Sequence, residues 1–186
     1  MKKLLGILLA TLAMFAFGAV YWMTPLTTSW YQSATDDETA GRRLKELFPA
    51  SGAYLLPSTK AAPEQRLERL RTGPLAVIHV DYERKLAGEP DPRTLGLGFA
   101  HELISVALAA VVMGSLLGVL TTYVRRVGFM TMLGVFIAWF GPVGQSIWWF
   151  HAWPVQVMEA IYIVLAWLVS GLVLAAFIKP AGEAAK

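Results

Sequence analysis

Three long apolar runs fill the second half of this chain, separated by two short polar breaks, Arg125-Arg126 and His151-Ala152-Trp153-Pro154. Residues 103–124 and 127–150 hold no charged side chain, and 155–178 holds only Glu159. A helix needs about 20 apolar residues to cross the hydrocarbon core of a bilayer, and each run is long enough. A fourth apolar run occupies residues 4–23. The chain is 56% hydrophobic, against about 45–50% in an ordinary soluble domain, which excludes a purely water-soluble fold. The expected fold class is an all-α transmembrane four-helix bundle with a small α+β extracytoplasmic domain between spans 1 and 2. The expected division is a first span at 1–23, the inserted domain and linker at 24–98, a three-helix membrane unit at 99–178 (99–124, 127–150 and 155–178) and a tail at 179–186.

Charge sets the expected topology. Lys2 and Lys3, Arg125 and Arg126, and Lys179 and Lys186 all fall on the same side if the runs alternate across the membrane. By the positive-inside bias that side is cytoplasmic, with both termini inside. The opposite side receives 24–98, where ten Lys/Arg are balanced by ten Asp/Glu. A segment longer than about 60 residues is translocated regardless of such charges. The net charge of +3 is not gathered into one basic stripe, so nucleic acid is not an expected partner. The chain has no cysteine, which removes disulfides, thiolate metal sites and cysteine nucleophiles.

Along the chain, Lys2-Lys3 before an apolar run has the form of a secretory signal, and Ala16-Phe17-Gly18 has the small-x-small form of a cleavage site. The run continues to Met23, about twenty residues rather than the 7–15 of a signal core, so an uncleaved span is expected. Thr24-Pro25 should end it. Ser33 or Thr35 is the expected cap of a helix that opens on Asp36, Asp37 and Glu38 and closes on basic residues before Pro49. A strand at 53–56, a helix at 63–71 led by Pro63, and a β-branched strand at 75–82 follow. Residues 84–97, rich in proline and glycine, read as a linker back to the membrane. The core of such an insert is very small, so it should pack on the membrane helices or on a partner.

Three stretches, Gly18-Ala19-Val20-Tyr21-Trp22-Met23-Thr24-Pro25, Pro49-Ala50-Ser51-Gly52-Ala53-Tyr54-Leu55-Leu56-Pro57 and Gly73-Pro74-Leu75-Ala76-Val77-Ile78, resemble those of a loose group of small, uncharacterised four-span bacterial inner-membrane proteins. The resemblance implies a bacterial inner-membrane location and carries no chemistry.

Within the spans, Gly114-Ser115-Leu116-Leu117-Gly118 is a small-xxx-small pattern that lets helices approach closely, inside one chain or between two. Gly141-Pro142-Val143-Gly144 should kink the third span, with Gln145 and Ser146 available to freed backbone groups. Arg125-Arg126 should form a tight turn.

The sharpest chemical candidates are His101, Glu102, His151 and Glu159, all expected at the outer ends of spans 2, 3 and 4. Ionisable residues within a span are functional candidates by default. Two imidazoles and two carboxylates have the donor set of a divalent metal site or a proton relay. Against this, His101 and Glu102 are adjacent and point about 100° apart on a helix. His79 reads as a sheet-face residue. No nucleophile-base pair, phosphate loop or His-Glu-x-x-His motif occurs. The leading expectation is therefore a non-catalytic accessory or assembly subunit of an envelope complex, in contact with lipid and with a protein partner or a second copy, and without a cofactor. The alternatives are an oligomeric transporter or channel component using Glu159 and the kinked third span, and a divalent-metal protein with its site at the outer interface.

Overall fold

The structure, a computed structural model, describes residues 1–84 and 91–180. In order, the chain forms α1 (Lys2–Trp22), the short α2 (Pro25–Thr28), α3 (Asp37–Leu47), β1 (Gly52–Leu56), α4 (Pro63–Thr72), β2 (Ala76–Val80), α5 (Pro92–Ser115), α6 (Tyr123–Ala138), a π-helical turn (Trp139–Val143), α7 (Gly144–Trp149) and α8 (Trp153–Phe177). Four helices, α1, α5, the continuous α6–α7 and α8, are long and apolar enough to cross a membrane. The protein is accordingly a multi-pass membrane protein, and the exposed Leu8, Leu108, Phe136 and Ile161 give these helices apolar outer faces suited to lipid.

Helix α8 is the hub. It packs along α6 on one side and α1 on the other, and α5 joins through α1. The shared core is built from small and flexible side chains: Ala10 and Met14, Val106, Ala109, Ala110 and Met113, Met130, Ala166 and Leu174. In lipid, helices gain little by hiding apolar surface from tails that are equally apolar, so close packing has to hold them together. The closest approaches use glycines other than the expected pair. A Cβ on Gly134 would lie 2.8 Å from the Trp167 Cβ, and one on Gly171 would lie 2.7 Å from the Met130 Cβ, so α6 and α8 interlock through a glycine from each. Gly18 admits the Tyr162 hydroxyl in the same way, and Gly6 admits Phe177. Around Gly114 and Gly118, in contrast, a Cβ would meet nothing within 4 Å. Helix α5 ends at Ser115, so the two glycines do not share a helix face, and within this chain neither is a packing glycine.

That early end reflects a shift of the whole second span. Asp91 caps α5, accepting from the Thr94 amide at 2.9 Å, and Pro92 takes the first helical position, where its missing N–H costs nothing. The helix thus begins inside the stretch expected as a linker; residues 85–90 of that stretch lie outside those described. Chain reversal falls at 116–122 rather than at Arg125-Arg126. Thr122 caps α6 through the Arg125 amide, which puts both arginines in the first turn of α6.

Arg126 is consequently buried, 1% exposed. Its guanidinium donates to the Ala175 carbonyl at 3.1 Å and to those of Leu120 and Thr121 at 3.3 and 3.2 Å. Ala175 O is among the last four carbonyls of α8, which have no partner within the helix. One cation thus closes the end of α8 and the loop leaving α5. The Tyr123 hydroxyl adds a bond to Leu172 O at 2.8 Å. The amino terminus of α1 is at this same end, since Gly6 faces Phe177. Lys2, Lys3, Arg125, Arg126 and Lys179 therefore gather at one end of the helices. Residues 181–186, with Lys186, lie outside those described.

In the third span the expected kink site is a π-helical turn containing the buried Pro142, which accommodates the missing proline N–H by widening the helix. Phe150, at φ 62°, then ends α7 in the left-handed region and lets the chain reverse into α8.

Between α1 and α5, β1 and β2 pair antiparallel with Ala53 opposite His79 and Leu55 opposite Val77. Behind them Phe48 packs on Tyr54, ring centroids 4.8 Å apart, and the Tyr82 hydroxyl donates to Phe48 O. The cap of α3 is Asp36 rather than Ser33 or Thr35; its carboxylate accepts from the Glu38 and Thr39 amides. Neither α3 nor α4 has a fully buried residue.

Two outcomes follow. Replacing Arg126 with Met should cost on the order of 3 kcal/mol, as expected for lost charged hydrogen bonds at a buried site, while Arg125→Met at the exposed neighbouring position should cost far less; thermal unfolding in detergent measures both. The bonds from Thr39, first its side chain and then its amide, hold the Asp36 carboxyl below its usual value of 3.8. The folded form therefore favours the ionised group, and the support it gives α3 is complete above 3.8 and lost as pH falls through the lowered value. The protection of the Glu38 and Thr39 amides against hydrogen exchange, taken relative to their intrinsic rates, should fall over that range and become insensitive to it in Asp36→Ala.

Candidate functional site

At the end of the helices opposite the arginines, a cleft of about 580 Å³ lies between the sheet and the junction of α7 with α8. Each wall follows from local structure. Alternation along a strand sends every second side chain to one face, and the register puts Ala53, Leu55, Val77 and His79 together on the face that lines the cleft. The left-handed Phe150 turns the chain so that His151 follows α7 directly, with the His151 amide donating to Gln145 O. Pro154 opens α8 within its first turn, and Gln156 and Glu159, three residues apart, share a helix face. Gln145 and Trp149 complete the wall from α7.

Gln156 is 6% exposed. Its Nε2 lies 3.5 Å from His151 Nδ1, a contact in which the amide donates when His151 carries its proton on Nε2. Its Oε1 is buried and has no hydrogen-bond partner among the described residues. Glu159 is half-buried and forms no ion pair among them. The cleft thus offers a carboxylate, two side-chain amides of which Gln156 has an unused acceptor, two imidazoles, an indole and the Tyr54 phenol, with no lysine or arginine among its described lining residues.

The four residues singled out by charge separate. His151 and Glu159 share the cleft, together with His79, which keeps its sheet-face position. Glu102 turns elsewhere: the Tyr162 hydroxyl donates to its Oε1 across a long 3.5 Å contact, while its Oε2 is buried without a partner. Tyr162 is itself held in an aromatic cage, stacked on Phe17 at 6.1 Å and edge-on to Trp22 at 5.3 Å. His101 is exposed on α5, where the Ser105 hydroxyl bonds to its carbonyl. Among the described residues no three His, Asp or Glu side chains are grouped as metal ligands.

Two participants escaped a reading based on charge. Gln156 is uncharged and lies within an apolar run; its spacing from Glu159 was the available signal. Tyr162 is one turn beyond Glu159 and meets Glu102 across 60 positions of sequence, a pairing that no local pattern encodes.

Compared with known protein families, curated proteins and solved structures, the chain matches none.

The Glu102 contact has a checkable consequence. Tyr162→Phe removes the donor facing a half-buried carboxyl and should lower the unfolding temperature, at a cost of about 1–3 kcal/mol. In a Glu102→Leu background the same change should cost less, because the carboxyl acceptor is gone and only the hydroxyl's contact with the Trp22 indole remains to be lost. A full double-mutant cycle in detergent measures the difference.

Proposed function

We propose that this chain is a non-catalytic inner-membrane protein of a bacterium, a four-helix bundle with both termini in the cytoplasm, and that it serves as an accessory or assembly subunit of a larger envelope complex. The collection of Lys2, Lys3, Arg125, Arg126 and Lys179 at one end supports the cytoplasmic assignment of that end. The segment between α1 and α5 is then extracytoplasmic.

The observation that carries the subunit reading is the lack of a core beneath α3 and α4. Neither helix has a fully buried residue, and Leu47 is 69% and Leu67 50% exposed, with Leu44 and Leu70 also uncovered. Helices of 11 and 10 residues are marginal in water on propensity alone and gain most of their stability from packing an apolar face. A protein surface fits these faces better than an anionic bilayer. Around its leucines α3 carries Asp37, Glu38 and Glu46 beside Arg42, Arg43 and Lys45, and α4 alternates two glutamates with three arginines. Membrane-surface helices instead carry a predominantly basic polar face.

Site-specific photocross-linking in native membranes tests this reading. Probes at Leu47 and Leu67 should join the chain to the same protein, and Leu47→Lys with Leu67→Lys should release the chain from that complex on native gels. Adducts to lipid alone, together with a lone monomer in mild detergent, would overturn it.

A further inference from the structure

We propose that the cleft between the sheet and the α7–α8 junction is a binding site for a primary ammonium group, of the kind carried by an ethanolamine headgroup or a small soluble amine.

The reasoning starts from Gln156. A carbonyl oxygen buried without a partner loses its hydration and gains nothing in return, at a cost that native proteins seldom leave uncompensated. Gln156 Oε1 is in that position, its own amide nitrogen is directed to His151, and the side chain lines an open cleft. The group that satisfies it must bring an N–H or O–H donor. Charge narrows the choice. Glu159 lines the same cleft without an ion-pair partner, and no lysine or arginine accompanies it among the described residues, so a cation is favoured and an anion opposed. Trp149 adds an indole, the aromatic side chain that best attracts a cation to its face.

A primary ammonium meets all three conditions, with one N–H for Gln156 Oε1, another for the Glu159 carboxylate and its charge near Trp149. A quaternary ammonium meets only two. It has no N–H to donate and, where it carries no hydroxyl either, would bury Gln156 Oε1 unsatisfied, so the site should discriminate ethanolamine from tetramethylammonium, and phosphatidylethanolamine from phosphatidylcholine, whose hydroxyl is esterified. Burying an unpaired acceptor produces discrimination of this kind far more strongly than adding or removing a methylene does. The cleft is also in the range of small-ligand sites, about 300–1,000 Å³. Its floor is the end of one candidate span and the start of the next, the depth at which headgroups lie.

The test uses the full chain in detergent and in nanodiscs. Thermal unfolding with soluble ethanolamine or tetramethylammonium should show stabilisation by ethanolamine only. Native mass spectrometry should show phosphatidylethanolamine retained over phosphatidylcholine if the source is lipid; preference among the soluble amines alone would identify a soluble amine as the source and leave the site's chemistry as proposed. Gln156→Met and Glu159→Gln, both close in size to the native residues, should each weaken ethanolamine binding about tenfold or more, and His101→Gln on the exposed face of α5 should not. Equal response to ethanolamine and tetramethylammonium, response to neither, or binding unchanged in both cleft variants would overturn the proposal. The amine comparison on the native chain decides the matter even if a variant misfolds. It is also independent of the subunit reading, since neither probe touches α3 or α4.

Discussion

A single buried guanidinium ties together the ends of three helices, and much of the architecture depends on its being satisfied. Within a bilayer every backbone polar group must find its partner in the protein, and the last carbonyls of a helix have none of their own. Arg126 meets that demand for α8 and for the loop leaving α5. Its position in the first turn of α6 is unfavourable for the dipole of its own helix and favourable for that of α8, whose negative end it faces. Burying a cation is costly unless its donors are used; a planar fork with five N–H groups can reach several carbonyls at once, which an ammonium on a flexible stem does less well. The same placement fixes the axial register of α6 against α8, where Gly134 and Gly171 interlock. A slide of one residue would separate the guanidinium from its carbonyls and drive Trp167 and Met130 out of their glycine notches together.

This arrangement explains which parts of the fold can be read from sequence. Spans are legible because length and apolarity report directly on the solvent, and the four apolar runs coincide in number with four suitable helices. Where a span begins and ends is less legible, because capping competes with hydropathy. Asp91 and Pro92 are a cap and a first-turn proline, but they lie among prolines and glycines that suggest a linker, and hydropathy alone placed the second span several residues late. The paired arginines mislead for a related reason: charge beside a span usually marks a solvated turn, whereas here carbonyls take the place of water. Gly114 and Gly118 have the spacing of a packing motif with no described residue within 4 Å to pack against, while Gly134 and Gly171, each four residues before a buried alanine (Ala138 and Ala175), pack tightly, because what makes a notch is the bulky residue on the facing helix.

The candidate site divides along the same lines. His151 and Glu159 were visible because charge in a span is conspicuous. Their separation from Glu102 and His101 was not, since it depends on how far α5 is displaced along α1. Starting at Pro92 rather than near residue 99 carries Glu102 down to the level of Tyr162, more than two turns into α8, and away from the cleft at the start of that helix. Glu102 then meets a phenol embedded among Phe17, Tyr21 and Trp22. One carboxylate is thereby engaged inside the helical assembly and the other, Glu159, is left facing an opening.

The sheet and the cleft depend on each other. Two strands alone are marginal in water, and behind one face of this pair Phe48 packs on Tyr54. Its other face, with Leu55, Val77 and His79, roofs the cleft over Gln156 and Glu159. Material between the two walls would therefore bury apolar sheet surface and satisfy Gln156 Oε1 in the same event. A ligand in the cleft and a partner on α3 and α4 would both favour the folded form of residues 37–80, which hold α3, the sheet and α4. Anything that binds only the folded form lowers the cost of folding for whatever binds next. Occupancy of the cleft and recruitment through the leucine faces should then be positively linked, with a coupling that is equal in both directions.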